Sequence, residues 1–291
     1  KAKDENGGQE ELDIPASEAD RAEEYHNELL EAAAINDEAL MEKFFETNDL
    51  SADEIRQGLR DGVANRDFMP IFCCSAKKSF GLKRIMEFII NVLPDPAQAN
   101  AMTDVEGNEV KADASAPASI FVFRNAVEQH VGEVSYFRVV TGKLTEGMEL
   151  TNPRNGNKEK ISQIFAVAGK KREKVTELVA GEIGCTVKLK GTKANDTLGL
   201  GDVAEISPIS FPAPRYRAAV RALDQNNEEK LGELLNRIKA EDLTYKVEYS
   251  KELKQTIISG QGEHHINILK WHLNNVYKLE VDLFAPRISY R

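Results

Sequence analysis

Residues 131–152 read VGEVSYFRVVTGKLTEGMELTN, and the alternation within them decides the fold. In an extended chain Val134, Tyr136 and Val140 share one face with Arg138, while Phe137 and Val139 take the other. Both faces are largely apolar, which predicts a strand buried on each side. Gly142 and Gly147 punctuate the chain before a second apolar run at Met148 and Leu150. A buried strand, a glycine-bounded excursion and a further strand imply a small closed β-barrel. This pattern is a scaffold and carries no chemistry of its own.

The barrel sits in a chain of 291 residues, long enough for two or three cores. With 41% hydrophobic and 30% charged residues, the composition is that of a soluble globular protein. No apolar run reaches the roughly 18 residues of a transmembrane helix. Lys1 to Gln9 are polar and glycine-containing, unlike a signal peptide, and no initiator Met is present, so the chain reads as a piece of something longer. Cys73, Cys74 and Cys185 form no CxxC pair. They predict reduced, mostly buried thiols of a cytosolic protein and no metal site.

The net charge of -10 is unevenly spread. Residues 1–98 carry 11 Lys+Arg against 22 Asp+Glu, residues 99–210 carry 14 against 15, and residues 211–291 carry 13 against 11. The acidic first third is a poor surface for phosphate, whereas the rest is free to meet RNA.

Taken in order, residues 1–15 read as loop. Ser17 is a candidate N-cap for a helix over 21–34 with Tyr25, Leu29, Ala32 and Ala33 on its apolar face. Helices follow at 37–47, through Leu40, Met41, Phe44 and Phe45, and after the Ser51 cap, through Ile55, Leu59 and Val63. Their carboxylates read as a solvated face, with a partner-docking surface as the alternative. Met69-Pro-Ile-Phe-Cys-Cys74 predicts a buried parallel strand, Ser75-Ala76-Lys77-Lys78 a polar loop, and Leu82 to Leu93 an amphipathic helix with Ile85, Met86, Ile89 and Ile90. This is the β-α unit of an α/β domain, with a loop where such folds bind ligands. Pro94 and Pro96 end it, and residues 97–117 read as a linker.

Barrel strands are expected at 118–123, 131–140, around Leu150, at 160–167 after the turn Asn152-Pro-Arg-Asn-Gly-Asn157 and at 181–189, with a strand-and-turn stretch at 196–203. Lys158, Lys160, Lys170, Lys171, Arg172, Lys174, Lys188, Lys190 and Lys193 cluster here, either as solvated surface or as a phosphate-contacting side. Beyond Phe211-Pro-Ala-Pro214 come a strand at 215–223, a helix capped by Asn226 or Asn227 with Leu231, Leu234, Leu235 and Ile238 inward, strands at 244–249 and 256–259, a helix opened by Gly260-Gln-Gly262 with Ile266, Leu269, Leu273 and Val276, and a strand at 277–283. The order β-α-β-β-α-β is ferredoxin-like. The domains are thus 1–98, 99–210 and 211–291.

Catalytic signatures are missing from the sequence. His264, His265 and His272 lack zincin spacing, and no nucleophile elbow, GxxxxGK[ST] loop or dinucleotide fingerprint occurs. Solvated or interface histidines are the expectation.

As an ordered series, these residues resemble translation elongation factor G. Glu28-Leu-Leu-Glu31 with Asp37-Glu-Ala-Leu-Met-Glu-Lys43 is similar to helices inserted late in that family's GTP-binding domain. Pro70 to Ala76 with Gly81 and Leu93-Pro-Asp-Pro96 resembles that domain's last strand, fifth guanine motif and closing helix. Phe137-Arg-Val-Val-Thr-Gly142, Ala180-Gly-Glu-Ile183 and Asp196-Thr-Leu198 resemble its second domain, and Ile258-Ser-Gly-Gln-Gly-Glu-His-His265 its third. Departures mark a divergent paralogue: Gln261 for Met, His264 for Leu, Lys188 for Gly, Ala194-Asn195 for Thr-Gly and Lys77 for Phe.

The resemblance implies the end of a P-loop-type GTPase domain with a helical insertion, a translation-factor β-barrel and a ferredoxin-like domain. It implies a GTP-dependent ribosomal translocase moving tRNA and mRNA, cytoplasmic and monomeric. Ser75, Ala76 and Lys77 would lie on the guanine side, with GTP and Mg2+ held by the full-length protein. The barrel would meet small-subunit rRNA, and the third domain a small-subunit ribosomal protein. With no phosphate loop, switch regions or Asn-Lys-x-Asp motif in the sequence, the chain alone is expected to hydrolyse no GTP. A tetracycline-type ribosome-protection protein shares the domain order. The readings from other classes are a free-standing RNA- or protein-interaction module and a metal-dependent hydrolase using the His-rich helix.

Overall fold

A computed structural model describes residues 12–99, 101–128, 131–169 and 171–287. Lys170 and residues 1–11 of the expected N-terminal loop lie outside the described residues. The chain divides into two compact units, Lys1–Asn100 and Ala101–Arg291.

The first unit is helical: α1 (Ala19–Ala34), α2 (Glu38–Thr47), α3 (Ala52–Asn65) and α4 (Leu82–Val92). Asp37 caps α2 by accepting from the Ala39 and Leu40 amides. Ser51 and Glu54 cap α3 reciprocally. Ser17 caps nothing, because Ala16–Glu18 form a 3-10 turn ahead of α1. The buried face of α1 is Leu30, Ala33 and Ala34, one step around from the predicted stripe, and Tyr25 and Leu29 are exposed. Close helix approach sets this rotation. Gly58 of α3 lies against Ala33, and a Cβ there would stand 1.8 Å from the Ala33 carbonyl oxygen. Backbones this near require small residues on both helices.

The predicted buried strand at 69–74 does not form. Met69 and Ile71 are 85% and 92% exposed, and Cys73 and Cys74 are exposed rather than buried. No described residue of this unit offers a neighbouring strand to satisfy its backbone, and an extended segment without one cannot be buried. The α4 stripe is correspondingly open. Met86, Ile89 and Ile90 are exposed, while Val92 is buried and Phe88 meets Phe72 edge-on at 4.9 Å.

In the second unit the expected linker contains a small hairpin, β1 (Met102–Thr103) and β2 (Glu109–Val110). The barrel follows: β3 (Ser119–Glu128), β4 (Gly132–Thr141), β5 (Lys143–Thr145), β6 (Glu149–Thr151), β7 (Lys158–Lys160), β8 (Ile164–Ala168), β9 (Lys171–Val175), β10 (Glu177–Val179), β11 (Ile183–Val187) and β12 (Asp196–Gly199). Eight strands run in the order β7-β6-β12-β3-β4-β11-β8-β9, and β5 pairs with β10. The single strand expected at 160–167 is two, β7 and β8, with Ile161 packed in the core between them.

β4 is buried on both faces as the alternation predicts. Phe137 and Val139 enter the barrel core with Leu144, Leu150 and Leu198. Val134 and Tyr136 pack on Cys185, Val187 and Phe165. Val140 joins Phe121 and Ile206. Gly142 turns the chain with φ 71°, where a Cβ would lie 2.6 Å from the backbone of Ala116 and Ala118, so only glycine fits.

The unit continues with β13 (Tyr216–Ala222), α5 (Glu228–Glu241), β14 (Lys246–Ser250), β15 (Gln255–Gly260), α6 (Glu263–Asn275) and β16 (Val281–Phe284). The sheet is antiparallel in the order β14-β15-β13-β16, the split βαβ arrangement, and Leu231 and Leu235 of α5 with Ile266, Leu269 and Leu273 of α6 pack on it. Val276 is exposed beyond the end of α6. Asp224, rather than Asn226 or Asn227, supplies the cap ahead of α5, accepting from the Asn226 amide.

Candidate functional site

Ser75, Ala76 and Lys77 come together on one closed turn of the first unit. The Ser75 amide donates to the Phe80 carbonyl at 3.0 Å, and the Phe80 amide returns a bond to Ser75 at 3.2 Å. Ala76–Lys78 form a 3-10 turn, ended by Ser79 at φ 58° and Gly81 at φ 74°. A Cβ on Gly81 would meet the Cys73 carbonyl oxygen at 2.6 Å. Ala76 and Lys77 are exposed and Ser75 is half-buried. The turn is shaped by its backbone and leaves two lysines, Lys77 and Lys78, exposed.

The basic cluster of the barrel resolves into two sets. Lys158 pairs with Glu149 at 3.2 Å, Lys174 with Glu146 at 3.0 Å, and Arg172 with Glu128 and the Tyr136 hydroxyl. Lys160, Lys171, Lys188, Lys190 and Lys193 form no ion pair among the described residues and are exposed. Three of these five stand on residues 188–193, and a buried carboxylate holds that loop. Glu159, 6% exposed, accepts from the Lys190 amide at 3.1 Å, the Gly191 amide at 2.7 Å and the Thr192 hydroxyl at 3.2 Å. Asn125 donates to the Thr192 carbonyl at 2.9 Å, and Asp196 accepts from the Lys193 amide at 2.8 Å. Arg154 ties Asp196 to Glu205 behind it. The loop is held from within by these bonds, and its three lysines are exposed to solvent.

Glu159 was not legible as a functional residue. Its neighbours Lys158 and Lys160 make a plain solvated alternation. The only signal is that position 159 opposes the core residue Leu150 across β6 and β7. At two positions in or beside this loop the backbone is left-handed. Asn195 has φ 73° and Lys188 φ 65°, the left-handed region glycine occupies freely. Asn tolerates it, whereas Lys188 is strained.

His265 lies against the third domain's core. Its ring stacks on Tyr245 at 3.8 Å, Nδ1 accepts from the Gln261 amide at 3.2 Å, and Nε2 is 3.4 Å from Asp242 Oδ2. The Tyr245 hydroxyl donates to the His265 carbonyl at 2.8 Å, and burial, with Asp242 nearby, pushes its pKa up. Gln261 donates its side-chain amide to the Pro212 carbonyl at 2.8 Å, a bond that a Met at this position could not make. His264 and His272 are exposed, and among the described residues no group of His, Cys, Asp or Glu is placed to hold a metal ion. Cys185 is buried, and burial raises its thiol pKa, so it is no nucleophile at neutral pH.

A β-barrel of this strand order, followed by a βαββαβ domain and with no catalytic constellation among the described residues, has the central architecture of a translation factor. Residues 117–201 match the family Elongation factor G domain 2, and residues 211–285 match Elongation Factor G, domain III. Together the matches take in more than half of the chain, which is of the elongation factor G type. A crystal structure of a protein from Thermus thermophilus is similar over 98% of this chain, with 25% sequence identity and a TM-score of 0.81. This chain spans 41% of that protein's length. Among the described residues no helix is long and apolar enough to cross a membrane.

Proposed function

We propose that the chain serves a ribosomal translocase of the elongation factor G type, supplying the surfaces that position the factor while tRNA and mRNA move. The observation that carries this reading is the platform of residues 188–193. The buried Glu159 fixes its shape, and Lys188, Lys190 and Lys193 are exposed without carboxylate partners among the described residues. Such a surface suits small-subunit rRNA, and the third domain would meet a small-subunit ribosomal protein. The turn at Ser75, Ala76 and Lys77 would border the guanine base of GTP, whose Mg2+ and phosphates other parts of the protein would hold. The protein would act as a cytoplasmic monomer.

The test is co-sedimentation of the chain with ribosomes, alone and with Lys188, Lys190 and Lys193 changed to Ala. Salt-sensitive pelleting lost in the triple variant is expected. Pelleting equal for both proteins would overturn the assignment of the platform, and none for either would overturn the ribosomal reading. A ribosome-protection protein would instead release tetracycline without moving tRNA and mRNA, which an assay of both activities distinguishes.

A further inference from the structure

The contact between the barrel and the third domain is concentrated on β3 and α5. β3 pairs with β4 along its length apart from a bulge at Phe123, but on its other edge β12 covers only Ser119 to Val122. Beyond that point the edge of β3 is open, and an unpaired edge needs partners for its amides and carbonyls. At Val127 the partners are two side chains of α5. The Val127 amide donates to Glu241 Oε1 at 3.0 Å, and Arg237 Nη2 donates to the Val127 carbonyl at 2.7 Å. Arg237 Nε closes the ring on Glu241 at 3.2 Å. One i, i+4 ion pair thus reproduces the two hydrogen bonds that a neighbouring strand would make with this residue. The Arg237 guanidinium lies over the Tyr277 ring, 5.3 Å from its centroid, which holds the fork in plane.

We propose that Arg237 and Glu241 form a releasable latch, which sets the angle of the third domain on the barrel by standing in for a strand at Val127. Three features favour release over permanent docking. The bonds come from side chains, so breaking them unfolds no secondary structure. Both side chains are partly exposed, at 33% and 27%, so water and salt reach them. The two domains keep separate cores, one around Phe137 and Leu144, the other around Leu235 and Ile258. When the latch opens, the third domain swings on its connection through residues 203–215 while each core stays intact.

The experiment measures hydrogen exchange of the peptide containing Val127, together with the distance distribution between spin labels at Lys143 and Lys251, in the 291-residue chain. Arg237→Lys keeps the charge but loses the fork, and Glu241→Gln keeps the shape but loses the charge. Each is expected to speed exchange at Val127 about tenfold and to broaden the label distances. Protection of the peptide containing Phe137 should stay unchanged, as should both readouts in Glu229→Gln at the start of the same helix. Unchanged exchange and distances in the two latch variants would overturn the proposal. So would equal loss of protection at Phe137, which would mean that the pair supports the barrel itself. Should either variant fail to fold, the wild-type chain between about 0.05 and 1 M salt gives the same decision, because a partly exposed ion pair loosens as the Debye length falls from about 14 to 3 Å. Distances that ignore salt would overturn the latch.

Discussion

Replacing Glu159 tests whether one buried carboxylate shapes the lysine platform. In Glu159→Ala the Lys190 amide, the Gly191 amide and the Thr192 hydroxyl lose their acceptor together. An orphaned buried donor costs about 1–3 kcal/mol. Lys190 and Gly191 lie on the exposed side of the loop, where water relieves part of the loss, so the low end applies and the sum is about 3 kcal/mol. Glu159→Gln keeps one acceptor oxygen for Gly191 and Thr192 but loses the charge, and should cost about half as much. The chain has more than one core, so a single global transition is the wrong readout. Urea unfolding followed by hydrogen exchange in peptides of β6, β7 and β12 isolates the barrel. Fluorescence of Trp271, the single tryptophan, follows the third domain in the same sample. The barrel midpoint should fall in the order Ala below Gln below wild type, and the Trp271 transition should stay fixed. A barrel midpoint unmoved in Glu159→Ala, or Gln as stable as wild type, would refute the claim that charge-assisted bonds hold the loop.

Further outcomes are expected elsewhere. Lys188→Gly relieves a left-handed lysine and should stabilise the barrel by about 1 kcal/mol in the same exchange assay, while weakening ribosome pelleting. Gly58→Ala drives a methyl into the Ala33 carbonyl; the overpacking, about 1–3 kcal/mol, should outweigh the roughly 1 kcal/mol of helix propensity gained, lowering the helical unit's melting temperature by circular dichroism. Hydrogen bonds from Lys43, then from the Ser51 hydroxyl and amide, pull the Glu54 carboxyl down to about 2. The stability it contributes is present above its unfolded pKa of about 4.5 and is lost as pH falls towards 2, so the melting temperatures of wild type and Glu54→Gln should converge across that window. Tyr245, raised by burial and then by Asp242, supports the fold below its unfolded pKa of about 10 and loses that support as pH rises further; Tyr245→Phe should flatten the alkaline limb of third-domain stability followed at Trp271.

What the sequence conveyed depended on whether a pattern names its own partner. The alternation through β4 does so, because a strand apolar on both faces needs cover on both, and the structure supplies it on either side of Phe137. The Ser51–Glu54 cap and the βαββαβ order were legible for the same reason: the signal and its partner lie close in the chain or repeat in a fixed order. Met69 to Cys74 and the α4 stripe were legible only as apolar surface. Their hydrophobicity says that cover is wanted, not that described residues provide it. The α1 face slipped by one position because Gly58, on another helix, decides which residues approach. Charge counts placed the basic cluster but could not sort Lys174, neutralised by Glu146, from Lys190, left outward. That distinction depends on cross-strand neighbours far apart in sequence.

The pairing of β3 also carries a consequence for how the chain acquires its shape. Val122 pairs with Phe137 through a local hairpin and with Asp196 only after most of the barrel has been laid down. In a chain emerging from its N-terminus, the hairpin closes early at small entropic cost, and β12 must wait. Until it arrives, the apolar segment Ser119 to Val122 is an uncovered edge on a half-built sheet, the kind of template on which nascent chains associate wrongly. Destabilising β12 should therefore reduce the soluble yield during synthesis more than it lowers the stability of molecules already folded.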